Sequence, residues 1–337
     1  MQEPFPTLTH LSLMWEDERP PALPSGFLGG SAPSLQELDL EGISFPALPT
    51  LLSSTRDLES LYLGDICNNG FIAPKAMAAC LAALPRLKFL FIEFQLGSPD
   101  RILPPPVTRT LLPALTSFEF RGYSEYLEEL VSRIDSPQLR RVSMRYSYPD
   151  FQVAPLFEFI DRSENPEITL IRHADVQISE HWIIFQMYPC PENHPDQGRV
   201  SAMIHCHGIE RQVLRVAQVF SLPSVMLSRV VHLKLSGYVS DAHRHDVQWL
   251  HLLRRFSTVR TLHVSRDFSQ HIALVLEDVT GEMVADVLPV LELIYLVDQP
   301  VTSVEKFLTV RRLSGHPVTI VGTKAEFDER VNSYVSE

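Results

Sequence analysis

A chain of 337 residues, of which 45% are hydrophobic and 21% charged, has the balance of a folded globular protein and differs from disordered or fibrous chains. Its formal net charge of −12 repels phosphate backbones and anionic membrane surfaces, so we expect neither nucleic acid nor a membrane as partner. The four cysteines are typical of a reducing compartment, and no run of about 18 apolar residues predicts a membrane span. We therefore expect a cytoplasmic or nuclear protein.

A six-residue pattern of the form L-x-x-L-x-L recurs along the chain. Clear copies are LTHLSL from Leu8, LQELDL from Leu35, LESLYL from Leu58, LKFLFI from Leu87, LTSFEF from Leu115 and LRRVSM from Leu139. Looser copies are ITLIRH from Ile168, VSAMIH from Val200, VVHLKL from Val230, VRTLHV from Val259 and LELIYL from Leu291. Successive starts are about 23 to 32 residues apart, which lies mostly within or just above the leucine-rich-repeat range.

Helical patterns fill the stretches between these copies. The segments PKAMAACLAALPR, SEYLEELVSRIDSP and HDVQWLHLLRRF have apolar residues at helical spacing, the first two have Pro at an end, and Ser124 is placed to cap the second. After the last copy, VTSVEKFLTVRRLSG and KAEFDERVNSYV predict two helices around a short PVTIV strand, a C-terminal cap over 301–337. We predict one α/β leucine-rich-repeat solenoid over 1–337, a horseshoe with parallel strands on the concave face and helices on the convex face.

The register of the pattern separates core positions from surface positions. The fourth and sixth residues of each copy point into the solenoid, and the first packs inward at the bend, so the third, fifth and seventh places are free to bind a partner. The predicted partner-binding residues are Tyr62, Phe89, Phe91, Glu93, Glu119, Arg121, Arg141, Arg145 and Arg172. We expect exposed Phe89 and Phe91 beside arginines to bind a protein or peptide, because aromatic residues and Arg are enriched in interface hot spots. The alternative is that another part of the chain covers them.

Three of these arginines, Arg141, Arg145 and Arg172, are expected to form one column on adjacent strands. Such a column would receive an acidic segment of the partner.

Motifs of catalysis and cofactor binding are missing from the sequence. It contains no G-x-x-x-x-G-K-[ST], G-x-G-x-x-G, H-E-x-x-H or G-x-S-x-G, so we expect no enzyme and no cofactor. A remote alternative is a metal-dependent enzyme using Cys190, His194 and His205, near Cys206 and His207. Successive strand residues point to opposite faces, so the H-C-H run cannot converge on one ion, and we expect no metal. Residues 175–208 form either a degenerate repeat or an inserted hairpin.

Three phrases carry a family resemblance. The segments FLGGSAPSLQELDLEGISFPALPTLL, FEFRGYSEYLEELVSRID and VRRLSGHPVTIV resemble, in this order, the repeat regions of the fungal F-box/leucine-rich-repeat family. The resemblance implies a substrate receptor of a cullin-type ubiquitin ligase, in which an F-box holds the adaptor and the repeats hold the target. Since the first predicted strand begins at Leu8, we expect the adaptor to be reached through an N-terminal F-box missing from this sequence. The alternative is a stand-alone scaffold or regulator without a ligase link.

Overall fold

The protein is described by a computed structural model over residues 5–16, 21–66, 68–94, 108–146, 154–189, 199–237, 246–279, 283–298 and 304–335. The chain divides into two compact units, residues 1–169 with 197–199 and residues 170–196 with 200–337. Both combine helices with a mostly parallel sheet, so the predicted α/β class is confirmed.

The first unit is built on a parallel sheet in which sequence neighbours lie side by side. Its strands are β1 (His10–Met14), β2 (Glu37–Glu41), β3 (Ser60–Ile66), β4 (Phe89–Phe94), β6 (Ser117–Gly122) and β8 (Arg141–Tyr146), in that order. A second, two-stranded parallel sheet joins β5 (Thr110–Leu111) to β7 (Ile134–Asp135). The helices are α1 (Leu48–Leu52), α2 (Pro74–Leu81), α3 (Ser124–Arg133), α4 (Ala154–Asp161) and α5 (Pro166–Thr169), with 3₁₀ turns at Phe27–Gly30 and Asn68–Gly70.

The leucine pattern forms the core of this unit as predicted. In the second copy Leu35, Leu38 and Leu40 are all buried, and the equivalent residues of the neighbouring copies pack beside them. The backbone joins successive copies in one recurring way: the carbonyl of Gln36 accepts hydrogen bonds from the N–H groups of Glu59 and Ser60, at 2.8 and 3.0 Å. Because each strand is tied to the next at the same place, the side chains of successive strands are aligned in rows.

Two of the predicted helices lie in this unit. The helix α2 begins at Pro74, whose missing N–H is not needed in the first turn, and it buries Met77 and Leu81. The helix α3 begins at Ser124, so its capping position is Tyr123, which makes no side-chain capping bond. The prediction that Ser124 caps this helix is therefore wrong by one residue. Its hydroxyl contacts Glu125 in the first turn instead.

One turn requires glycine. Gly42 follows β2 with φ of +66°, and a Cβ placed there would lie 2.2 Å from the carbonyl oxygen of Trp15. The N–H of Trp15 in turn bonds to the carbonyl of Glu41 at 2.9 Å. Any other residue at position 42 would push β1 away from the end of β2.

The second unit contains a sheet of mixed direction. Its strands, from one side to the other, are β11 (Arg199–His205), β10 (Trp182–Tyr188), β9 (His173–Ile178), β12 (His232–Gly237), β13 (Thr261–Val264), β14 (Leu293–Leu296) and β15 (Thr319–Ile320). The helices are α6 (Ile209–Val219), α7 (Asp246–Leu253), α8 (Arg266–Asp278), α9 (Met283–Asp286), α10 (Glu305–Leu313) and α11 (Lys324–Val335), with a 3₁₀ turn at Leu227–Arg229. The predicted C-terminal helices and the strand between them are present as α10, β15 and α11.

The predicted strand at Ile168 lies elsewhere. Ile168 belongs to the short helix α5, where the side chain of Asn165 accepts a hydrogen bond from the N–H of Glu167 at 2.9 Å. The strand follows later, with Ala174 opposite Leu233 and Val176 opposite Leu235. The repeat pattern therefore starts at Ile171 rather than Ile168, because Asn-Pro-Glu begins a helical turn where a strand was expected.

Residues 175–208 contain an antiparallel hairpin rather than a parallel repeat. The strand β10 pairs antiparallel with both β9 and β11, and Ser179 bonds to the carbonyl of Trp182 in the tight turn between β9 and β10. Among the two alternatives left open by the sequence, the structure favours the hairpin. Within the described ranges, no helix combines the length and apolar character needed to cross a membrane.

Candidate protein-binding face

The third, fifth and seventh places of the first unit's repeats form three rows across the sheet. The third-place row is His10, Glu37, Ser60, Phe89, Ser117 and Arg141. The fifth-place row is Ser12, Asp39, Tyr62, Phe91, Glu119 and Ser143. The seventh-place row is Met14, Glu41, Gly64, Glu93, Arg121 and Arg145. These rows together are the outward face of the first unit.

A β-bulge interrupts the seventh-place row. Leu63 pairs with Ile92 and Ile66 with Phe94, so Gly64 and Asp65 together lie opposite Glu93. Asp65 has φ of +51°, a left-handed conformation that aspartate tolerates better than most residues. The leucine pattern does not predict this bulge. The Gly-Asp pair after the strand pattern was the available signal.

The centre of the outward face is a stacked aromatic pair. The rings of Tyr62 and Phe91 lie 4.2 Å apart between centroids and are inclined by 6°. The guanidinium carbon of Arg121 lies 5.1 Å from the centroid of Phe91, within the range of a cation–π interaction. Phe91 is only 2% exposed, so the expectation that it is exposed is wrong. Flat stacking against its neighbours removes it from water, while Tyr62 and Phe89 stay half-buried.

Glu93 and Arg121 form an ion pair beside these rings. Their Oε2 and Nη1 atoms lie 3.4 Å apart. Burial raises the pKa of the Glu93 carboxyl above its ordinary value, and nearby Asp65 adds to this rise while Arg121 and Arg145 oppose it. The central part of the face is therefore partly dehydrated, which strengthens polar contacts made there.

The charges of the outward face change sign across the sheet. On β2 the acidic residues Glu37, Asp39 and Glu41 share one side, and the hydroxyl of Ser12 donates to Asp39 at 3.2 Å. On β6 and β8 the rows carry Arg121, Arg141 and Arg145 instead. Arg145 is exposed, whereas Glu119 is half-buried on β6.

Arg172 does not belong to this face. It is exposed at the entry to β9 in the second unit, and the two neighbours of β9 are β10 and β12. Arg141 and Arg145 on β8 therefore cannot form a column of adjacent strands with it. The error follows from the misplaced repeat start at Ile168 and from the antiparallel pairing of β9 with β10.

The candidate metal residues are only partly within the described residues. Cys190 and His194 lie outside them. At the end of β11, Cys206 is buried and His207 is exposed, which fits the predicted alternation. The Nδ1 atoms of His207 and His181 lie 2.9 Å apart, a contact that the sequence analysis missed because His181 is in the hairpin turn. No group of three His, Cys, Asp or Glu among the described residues is arranged to hold a metal ion.

Histidines of the second unit were also missed. His232 and His263 occupy the third and fifth places of their copies, and His173 occupies the third place of its own copy once the repeat start is moved to Ile171. The signal was present as imidazoles at outward places of the two copies that begin at Val230 and Val259.

No protein-family model and no curated protein matches the chain. Its function is therefore inferred from the geometry and from the repeat pattern.

Proposed function

We propose that this protein is a leucine-rich-repeat interaction module, a horseshoe-shaped solenoid whose outward face in the first unit binds a segment of another protein. The observation that supports this most is the stacked Tyr62 and Phe91 pair beside Arg121, placed between acidic β2 and the arginines of β8. Residues that contribute most to the binding energy of protein interfaces are enriched in aromatic and arginine side chains. Here such side chains pack against one another at the centre of the outward face.

The charge pattern favours a partner of a particular kind. An extended segment across the strands would place an acidic group near Arg145 and Arg121 and a basic group near Glu37 and Glu41. A flat or apolar side chain between them would contact the exposed parts of Tyr62 and Phe89. We expect such a charge pattern to favour one direction of the bound segment.

The resemblance to the fungal F-box/leucine-rich-repeat family supports a more specific role. In that role the repeats are the substrate-recognition region of a ubiquitin-ligase receptor, and an F-box outside them holds the adaptor. Binding of the gene's full-length product to a purified cullin-ligase adaptor tests the ligase link. Failure to bind the adaptor favours the stand-alone scaffold, and does not affect the proposal that the outward face binds protein.

The binding face is tested by selecting peptides on the whole chain and mapping where they bind. A displayed random peptide library is selected against the protein, and hydrogen exchange is compared with and without a selected peptide. We expect enriched peptides to contain an acidic and an aromatic residue and to slow exchange in Ser60–Ile66, Phe89–Phe94, Ser117–Gly122 and Arg141–Tyr146. Protection confined to other elements would overturn the assignment.

A further inference from the structure

A cavity of about 520 Å³ lies within the second unit. The sheet lines it with His173, His232 and His263, and the helix α11 lines it with Lys324, Phe327 and Val331. Its volume lies within the range of about 300 to 1,000 Å³ that is typical of ligand pockets.

The helix α11 is fixed to the outward side of this sheet by apolar contacts. Phe327 and Val331 are buried in one cluster with Leu293 and Tyr295, which occupy the third and fifth places of their copy. The ring of Phe327 also lies 5.5 Å from the ring of His263. The cavity is therefore bounded by packed elements and exists before any ligand binds.

Two of the three histidines, His173 and His232, are stacked on each other. The rings of His173 and His232 lie 4.3 Å apart, and Tyr188 stacks on His173 at 5.5 Å. Nδ1 of His232 lies 2.9 Å from the hydroxyl of Thr261. His173 is 5% exposed, and its Nε2 atom has no hydrogen-bond partner among the described residues. A buried polar atom without a partner is costly, so a ligand group that bonds to it is favoured.

Burial and nearby cationic side chains both lower the pKa of His232 and His263. Burial lowers the pKa of His232 to about 4, and Arg172 and Arg260 add to the effect. Burial lowers the pKa of His263 to about 4 as well, assisted by Lys234 and Lys324, while Asp328 and Asp175 oppose this. The imidazoles are therefore neutral at pH 7.

Two negative groups, Asp175 and Asp328, lie near the cationic side chains of the cavity. Asp175 forms an ion pair with Lys234, with 2.5 Å between Oδ2 and Nζ. Asp328 lines the cavity one helical turn after Lys324. Its carboxylate repels a bound dianion more strongly than a bound monoanion, so a monoanion is favoured.

We propose that this cavity binds an organic monoanion, a carboxylate with an apolar body. The carboxylate would bond to Lys324 and to the edge of the histidine stack at His173. The apolar body would pack against Phe327, Val331 and the ring of Tyr188. This site is separate from the proposed protein-binding face, because all its residues belong to the second unit.

Titration of the whole chain with three probes tests the chemical class. The probes are biphenyl-4-carboxylate, its neutral carboxamide of the same shape, and inorganic phosphate, with the histidine ring NMR signals as readout. We expect the carboxylate to shift the signals of His173, His232 and His263 and the carboxamide to bind about tenfold more weakly, since it loses the charge-assisted bond. Equal binding of the carboxamide, a response to phosphate alone, or no shift with any probe would overturn the proposal.

Matched variants then test the location. Lys324→Met removes the cation and keeps the stem, and Lys306→Met is its control on an exposed position of α10. His173→Phe keeps the ring stack and removes Nε2. We expect about tenfold weaker carboxylate binding for Lys324→Met and for His173→Phe, and unchanged binding for Lys306→Met. Circular dichroism verifies folding of each variant, and unchanged binding in both cavity variants would contradict this location.

Discussion

Leu38 and Leu61 lie opposite each other on β2 and β3, and both are buried. Replacing Leu38 by Ala removes three carbon atoms from this contact and leaves a cavity that the neighbouring repeats cannot fill. We expect a loss of about 2 to 5 kcal/mol in the free energy of unfolding, measured by urea denaturation. The control is Leu111→Ala, because Leu111 is 60% exposed in the same unit. Equal stability of the two variants would show that the repeat register is wrong.

The neutral state of His173 makes the stability of the second unit depend on pH. Burial, assisted by His232, lowers the folded-state pKa of His173 from 6.5 to about 3. As the pH falls, the imidazole of residue 173 is therefore protonated in the unfolded chain at a higher pH than in the folded protein. This contribution to stability is present above pH 6.5 and is lost as the pH falls toward the folded value. For this shift the loss between pH 7 and pH 5 is about 2 kcal/mol.

Urea denaturation at several pH values measures this dependence. Relative to the parent protein, His173→Phe is expected to lose less stability between pH 7 and pH 5, because phenylalanine does not titrate. His316→Phe is the control, since His316 is exposed, and its curve is expected to parallel that of the parent. Parallel curves for His173→Phe and the parent would exclude a buried neutral imidazole at position 173.

The contacts of individual side chains could not be predicted from the sequence pattern. Outward places were predicted from register, and Phe91 does occupy one, yet its burial depends on the ring of Tyr62 and the guanidinium of Arg121. Those contacts depend on rotamers, which a one-dimensional pattern does not contain. Arg311 is a second case: it is 1% exposed and donates to the carbonyls of Pro289 and Leu291 at 3.0 and 3.2 Å.

At the scale of elements, α11 is the feature with the clearest energetic prediction. Phe327 joins the helix to Tyr295 and His263 on the sheet. We expect Phe327→Ala to cost about 3 to 5 kcal/mol and to speed amide exchange throughout α11. The control is Glu329→Ala, an exposed position of the same helix. Unchanged exchange in α11 after Phe327→Ala would mean that other contacts hold the helix.

Elements were predictable where the leucine period was regular and were not where tertiary pairing decided. The helices α2, α3, α10 and α11 follow from spacing and Pro positions. The antiparallel β10 did not follow, because an apolar run such as WIIFQMY fits a parallel or an antiparallel strand equally. The packing of α11 on β14 did have a signal in the sequence. The outward places of β14, Leu293 and Tyr295, are both large and apolar or aromatic, whereas most outward places of the first unit, other than Phe89 and Phe91, are polar.

At the scale of the whole molecule, the net charge is negative, whereas part of the outward face is basic. The chain carries −12 overall, yet Arg121, Arg141 and Arg145 lie on two adjacent strands of the outward face, with Arg121 opposite Arg145. A local basic group in an acidic protein attracts an acidic segment only at short range, since at about 0.15 M salt the screening length is about 8 Å. Recognition of a partner is therefore expected to depend on these arginines rather than on net charge.

The central claim, that the outward face of the first unit binds protein, is tested most directly by charge reversal. The double variant Arg141→Glu and Arg145→Glu is compared with the parent and with Arg56→Glu, an exposed arginine in the turn before β3. The affinity for a selected acidic peptide is measured by calorimetry at low and high salt. We predict that the double variant binds at least about tenfold more weakly at low salt and that this difference shrinks at high salt, while Arg56→Glu binds as the parent does. Equal affinity of all three proteins would contradict the claim.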